Sequence, residues 1–417
     1  MNIKRNTIKS STLLILLCWL VYACSYMGKV NYAANINQVM DFYQVDHSSA
    51  GLVSTFFFFA YGIGQVINGV FCKKYNLKWM IFFSLLVSGS INFIVGITNS
   101  FVLIKYLWLF NGFAMSILWP SLIRLLSESL DRNIMPKASM VMGTTVATGT
   151  FLIYLLSALF VRINFKMSFY LPAGIFFVVA FIWLFACSGL ISKAKAESGE
   201  ETQASKIAEM EKKDVNYNKM LILLSICTLA LYGVATNLIK DGLTTWVPSI
   251  LKEQYALDGS ISIVLTLALP IVSIFANAFA IKVHNKIPDF VLQCAITFLF
   301  AGLIMGGVIA GISLNQFIIT LIGFTVVCFL VSSCNSVITS IFPLFMKGKV
   351  NSGLIAGILN GFCYLGSTIS CYGLGAIADK FGWIAVFWVL LFVCVAVCVC
   401  AGIYLLIKNV KSTIKKS

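Results

Sequence analysis

The chain is a succession of apolar runs, each long enough to cross a bilayer, separated by short polar breaks. A helix rises 1.5 Å per residue and bilayer hydrocarbon is ~30 Å thick, so ~20 consecutive apolar residues suffice to span it. Twelve such runs can be drawn: 11–40, 48–72, 78–98, 100–128, 136–163, 168–191, 219–251, 260–283, 290–312, 315–343, 350–377 and 383–408. Inside hydrocarbon every backbone N–H and C=O must find a partner within the protein, which leaves helices and closed barrels. A barrel needs ~10-residue segments of alternating polarity, and these runs are longer and do not alternate. With 59% hydrophobic and 11% charged residues, against ~25% charged in a soluble domain, the expected fold is an all-α membrane protein of twelve transmembrane helices.

The net charge of +15 reports topology. Most Lys and Arg fall in alternate short loops, as the positive-inside rule requires. Lys4, Arg5, Lys73, Lys74, Arg132, Lys137, Lys282, Lys286, Lys347, Lys349 and the C-terminal lysines share one side; Arg162, Lys166, Lys252 and Lys380 hold the other. Both termini are therefore expected in the cytoplasm, and nucleic acid is not an expected partner. Lys4, Arg5 and Lys9 before Leu13-Leu-Ile-Leu-Leu17 imitate a signal peptide, but the apolar run continues well past Cys24, so an uncleaved first span is expected. The 13 cysteines lie mainly inside apolar runs without metal-ligand spacing, and read as small packing residues in a reduced setting.

Residues 192–218, with Lys193-Ala-Lys-Ala-Glu-Ser-Gly-Glu-Glu201, have nothing to bury and divide the chain into six spans plus six. The expected organisation is an N-terminal bundle over 1–191, a cytoplasmic linker over 192–218 and a C-terminal bundle over 219–417. The halves look like pseudo-symmetric repeats. Lys29 and Lys240 lie 211 positions apart, each about 20 residues into its half, and Phe165-Lys-Met-Ser-Phe-Tyr170 has its counterpart in Phe381-Gly-Trp-Ile-Ala-Val-Phe-Trp388. Two six-helix repeats about a midplane site is a transporter architecture.

A lysine inside a spanning helix costs ~3 kcal/mol on the insertion scale, so an intramembrane cation points to function. Tyr22, Tyr26 and Lys29 share one helical face, as do Tyr61, Gln65 and Asn68, then Asn237, Lys240, Asp241 and Thr244, and finally Asn360, Tyr364, Ser367 and Cys371. Four polar stripes, two from each half, are expected to line one cavity with the lysines as its anion-binding groups. Asp241 is the other deep charge, available to neutralise a lysine in the empty site or to take a proton.

Blander readings apply to several residues. Each lysine can snorkel its ammonium to the interface. Trp246 and Trp383 fit an interfacial aromatic belt, and Lys105 sits at the start of its span. Arg124 with Glu128 four residues on reads as a structural ion pair. His47 and His284 stand alone in loops. Gly373-Leu-Gly-Ala-Ile-Ala378 matches a relaxed dinucleotide fingerprint but lacks a βαβ context. No P-loop or catalytic constellation occurs, so neither an enzyme nor a cofactor is expected.

Four stretches carry a likeness: Ala60-Tyr-Gly62 with Gly69; Asn111-Gly112 followed by Trp119-Pro120 and Arg124; Lys240-x-Gly-x-x-x-Trp246-x-Pro248 leading to Leu251-Lys-Glu253; and Ala356-Gly357, Tyr364-Leu-Gly-Ser367 and Asp379-Lys-Phe-Gly-Trp383. Through them the chain resembles the major facilitator superfamily, and within it the organophosphate:phosphate antiporters of glycerol-phosphate and hexose-phosphate. The resemblance implies that Lys29 and Lys240 stand where the family brings an arginine from each half to the substrate phosphate, that the tyrosines line the cavity, and that Asp379 is structural. Departures are equally informative. Gln65 stands where the family has a lysine and Thr145 where it has a histidine; Val30 replaces a basic residue and Thr245 an acid. A lysine also lacks the bidentate fork of arginine. Fewer cationic donors suit a less highly charged ligand, such as a carboxylate, a sugar acid or a phosphate diester.

The function expected is secondary transport of a small organic anion by alternating access, as an antiporter with inorganic phosphate or a proton symporter, by a monomer in the inner membrane. Lys29, Lys240, Tyr22, Tyr26, Tyr61, Gln65, Thr145, Asn360 and Tyr364 are the expected substrate contacts. A drug exporter and a non-transporting membrane sensor of the same fold are the competing readings.

Overall fold

In the computed structural model, residues 3–71, 76–130, 134–197, 219–346 and 352–414 are described; most of the expected linker, 198–218, lies outside them. Among the described residues the chain is helical throughout, and eleven segments are long and apolar enough to cross a membrane. The last of these, Ile355–Lys408, is 54 residues long and contains the eleventh and twelfth spans, which part at Gly382 (φ 75°, ψ 173°). Only glycine adopts such a backbone without strain.

The first helix starts earlier than expected, at Ile3, and the last runs on to Ile414; most others begin and end within a few residues of the expected runs, because polar residues at the breaks satisfy free helix-end groups. Asn76, Ser100, Asp258 and Asp289 each accept a hydrogen bond from a first-turn N–H of the third, fourth, eighth and ninth spans. The sixth span runs on to Glu197, past its expected end.

Five spans are interrupted. The first divides at Asn35 into Ile3–Ala34 and Ile36–Tyr43, the fourth at Ser116–Ile117, and the fifth at Thr144. The eighth breaks twice, at Leu267 and at Ile274–Phe275, on either side of Pro270. In the tenth, Val337–Ile341 is a π-turn just ahead of Pro343. Proline lacks the N–H for the helical bond and its ring crowds the carbonyl four residues back; widening the turn absorbs that mismatch. Pro172 and Pro248 are accommodated inside their helices.

The chain forms two compact units, Met1–Asn35 with Ile63–Val215, and Ile36–Gly62 with Asn216–Ser417. In the first unit the first span packs on the fifth and sixth, and the third on the sixth. In the second the seventh packs on the eleventh and twelfth, and the ninth on the tenth. Segment 36–62, the end of the first span and most of the second, belongs to this second unit.

Small residues set the closest helix contacts, as expected without a hydrophobic drive between lipid-bathed helices. A Cβ on Gly149 would lie 2.2 Å from the Ala23 carbonyl oxygen, and one on Gly366 would lie 2.1 Å from that of Val234. Ala23 precedes Lys29 by six residues and Val234 precedes Lys240 by six. Each unit therefore presses its fifth helix onto its first at the same register, which is the signature of a repeat.

Candidate functional site

In the first unit Tyr22, Tyr26 and Lys29 do share a face. The tyrosine rings meet edge-on at 5.5 Å, and Lys29 Nζ lies 4.8 Å from the centre of the Tyr26 ring. Lys29 is buried at 9% exposure, so the ring's negative face offsets part of the cost of desolvating the ammonium. Trp119 of the fourth span packs 4.6 Å from Tyr22 and extends this aromatic wall. Its place in the Trp119-Pro120 motif was legible; its contact was not. Gln65 is half-buried. Thr145 is fully buried and spends its hydroxyl on the Met142 carbonyl at 2.5 Å.

A buried amide network fixes the frame behind Lys29. Asn31 Nδ2 donates to Asn92 Oδ1 (2.8 Å) and the Ser168 carbonyl (3.0 Å). Asn35 Nδ2 donates to the Asn31 carbonyl (2.8 Å) and Ser157 Oγ (2.9 Å). These bonds tie the first span to the third, fifth and sixth, and leave little freedom for the turn that carries Lys29.

In the second unit the polar stripes of the seventh and eleventh spans meet. Lys240 Nζ lies 3.4 Å from Asp241 Oδ1. Asp241 Oδ2 accepts from Ser367 Oγ at 2.5 Å, and Ser367 Oγ accepts from Asn237 Nδ2 at 3.2 Å. Asn335 of the tenth span, unremarked in the sequence, completes the relay by donating to Asn237 Oδ1 at 3.0 Å. It lies two residues before the π-turn, and such turns concentrate at functional sites. Although adjacent side chains leave a helix ~100° apart, the long lysine stem closes that gap, so Asp241 is the counter-ion of Lys240. The rings of Tyr61 and Tyr364 pack against each other at 4.7 Å, tilted by 52°, with Asn360 half-buried one turn before Tyr364.

Other assignments are sharpened or corrected. Arg124 Nε pairs with Glu128 Oε1 at 2.6 Å, on the expected i, i+4 spacing. Trp246 and Trp383 are not lipid-facing belt residues: both are buried, donating to the Cys371 carbonyl and to Glu253 Oε2 respectively. Nor do the histidines stand alone. His284 stacks on Phe290 at 4.2 Å, and His47 opens the second span between two carboxylates, Glu253 and Asp379. These partners lie 206 and 332 positions away, beyond the reach of local reading. Among the described residues the cysteines are free, and no cluster is placed to hold a metal ion.

Spans of this length and number, with a repeated helix register, define a multi-pass α-helical membrane protein. The sequence matches the Major Facilitator Superfamily over residues 18–352, and the chain belongs to that family. Its relatives include sugar phosphate exchanger 3 of Homo sapiens, 20% identical over 381 residues that cover 81% of this chain and 76% of that protein. The membrane sensor protein UhpC of Escherichia coli (strain K12) is 26% identical over 120 residues. That match covers 29% of this chain and 27% of the sensor's length. Among solved structures, a bacterial homologue of the human lysosomal transporter Spinster, inward-facing and occupied, superposes with TM-score 0.71 at 11% identity, covering 95% of this chain and 97% of that one. The xylose transporter XylE from E. coli gives TM-score 0.70 at 11% identity, covering 94% and 97%. At these identities the structural likeness concerns the fold.

Proposed function

We propose that the protein is a secondary transporter of small organic anions, with one lysine from each six-span half, Lys29 and Lys240, binding the anionic group. The observation that carries this reading is the recurrence of an intramembrane lysine at the same register in both units, six residues beyond a glycine-tight helix contact. Lys29 rests on an aromatic face, and Lys240 is paired with Asp241. With Lys240 neutralised by Asp241 and the uncharged Gln65 and Thr145 beside the expected site, the arrangement suits a monoanion, a sugar acid or other carboxylate, better than a phosphate monoester. Tyr22, Tyr26, Tyr61, Gln65, Asn360 and Tyr364 orient the remainder of the molecule; Thr145 contributes by packing.

The Lys240–Asp241 pair also offers a coupling device. A proton taken by Asp241 releases Lys240 to the substrate anion, so proton and anion load together. This favours symport with protons over exchange for phosphate. The protein works as a monomer in the inner membrane, with the 1–191 and 219–417 bundles alternating access and both termini in the cytoplasm.

The test is uptake into liposomes by purified protein. Lys29→Ala and Lys240→Ala each abolish uptake of the accepted anion, and unchanged uptake in both would sink the paired-cation reading. The sensor among the relatives supports a second reading, in which the same site binds ligand without moving it; ligand-induced thermal stabilisation without flux identifies that case.

A further inference from the structure

His47 is held by two acids at once. Its Nδ1 lies 2.6 Å from Asp379 Oδ1 and its Nε2 lies 2.7 Å from Glu253 Oε1. Asp379 also accepts the backbone N–H of His47 (3.1 Å) and that of Ser48 (2.8 Å). Trp383 donates to the second oxygen of Glu253 at 2.8 Å, and the rings of Trp246 and Trp383 stand 5.6 and 5.2 Å from the imidazole. A neutral imidazole has one N–H and one bare nitrogen. With both carboxyls ionised, two short contacts to them require two N–H donors, and hence the imidazolium. A cation at a helix N-terminus opposes the helix dipole; here the flanking carboxylates outweigh it.

We infer that His47 is a proton-operated latch fastening segment 36–62 to the seventh and eleventh spans within the second unit. When the ring loses a proton to water, one nitrogen lone pair faces a carboxylate lone pair at under 3 Å, and that contact turns repulsive. The latch therefore holds at pH below the titration of His47 and releases as pH rises through it.

The surrounding charges leave this role to the histidine. On its own segment, Asp41 is paired with Lys252 at 2.6 Å. Asp46 is held below the ordinary carboxylate range by the hydroxyl and N–H of Ser49, and so stays charged. The seventh span presents Lys252 and Glu253, and the eleventh presents Asp379 and Lys380. Among these groups only the imidazole ordinarily changes charge between pH 5 and 8. On the transport reading, which this regulation presupposes, the latch lies on the side opposite the termini, and its release speeds opening there.

Because the chain has two histidines, histidine-selective 15N NMR of the intact protein resolves them, with His284→Gln assigning the pair. At pH 7.5 a histidine of ordinary pKa ~6.5 is about nine-tenths neutral. The latch predicts both His47 nitrogens protonated at that pH, and Glu253→Gln shifts the ring toward its neutral form. A neutral His47 ring at pH 7.5 in the unaltered protein overturns the inference, whatever the protein transports. In liposomes the background is Asp241→Asn, because proton loading at Asp241 adds a pH dependence of its own; in it His47→Arg, permanently charged and able to span both acids, flattens the pH dependence of uptake that remains between pH 6 and 8.5. A remaining pH dependence retained within twofold on adding His47→Arg overturns the inference too.

Discussion

Gly149 lies so close to Ala23 that a Cβ on it would sit 2.2 Å from the Ala23 carbonyl oxygen. Backbone cannot yield as a flexible side chain does, so the fifth helix must back away from the first. Gly149→Val is expected to lower stability by at least ~1–3 kcal/mol, the usual cost of overpacking, with Gly366→Val doing the same in the second unit. Gly189 and Gly402, with open space at the Cβ position, tolerate alanine. Thermal unfolding in detergent of the four variants checks this.

The Lys240–Asp241 pair should behave as a coupled unit. Asp241→Asn frees the ammonium and is expected to raise the apparent affinity for anions while removing the pH dependence of loading. Both side chains are largely buried, at 26% and 15% exposure, so a double-mutant cycle with Lys240→Met should give a coupling energy of ~0.5–3 kcal/mol. Strict additivity would show the pair to be incidental.

The Asn31–Asn92 bond joins two fully buried amides. Asn31→Leu strands the Asn92 carbonyl oxygen and removes the bond to Ser168, and each buried orphan costs ~1–3 kcal/mol. Lower melting temperature and weaker substrate binding are expected together, because the same network fixes the turn bearing Lys29. Loss of stability with unchanged affinity would separate the two.

Gln65 gives a direct handle on substrate charge. Gln65→Lys restores a cation where the resembled family carries one, and is expected to raise the preference for phosphate monoesters over carboxylates by tenfold or more. Competition binding measures the ratio, and no shift would remove Gln65 from the site.

The sequence by itself determined the membrane-spanning helices, their number, the repeat and the two lysines. Those features rest on period, length and the free energy of placing backbone and charge in hydrocarbon, which are local properties. Interruptions at Asn35, Ser116 and Thr144 escaped, because a side-chain hydrogen bond to backbone competes with the helix without altering the apolar pattern. Tertiary structure alone decided which polar groups meet. Asp241 reached Lys240 and Ser367, Asn335 joined Asn237, Thr145 bonded the Met142 carbonyl, and His47 found Glu253 and Asp379 across hundreds of positions. Composition shows that a buried charge must be compensated; only the packing of helices distant in sequence chooses its partner.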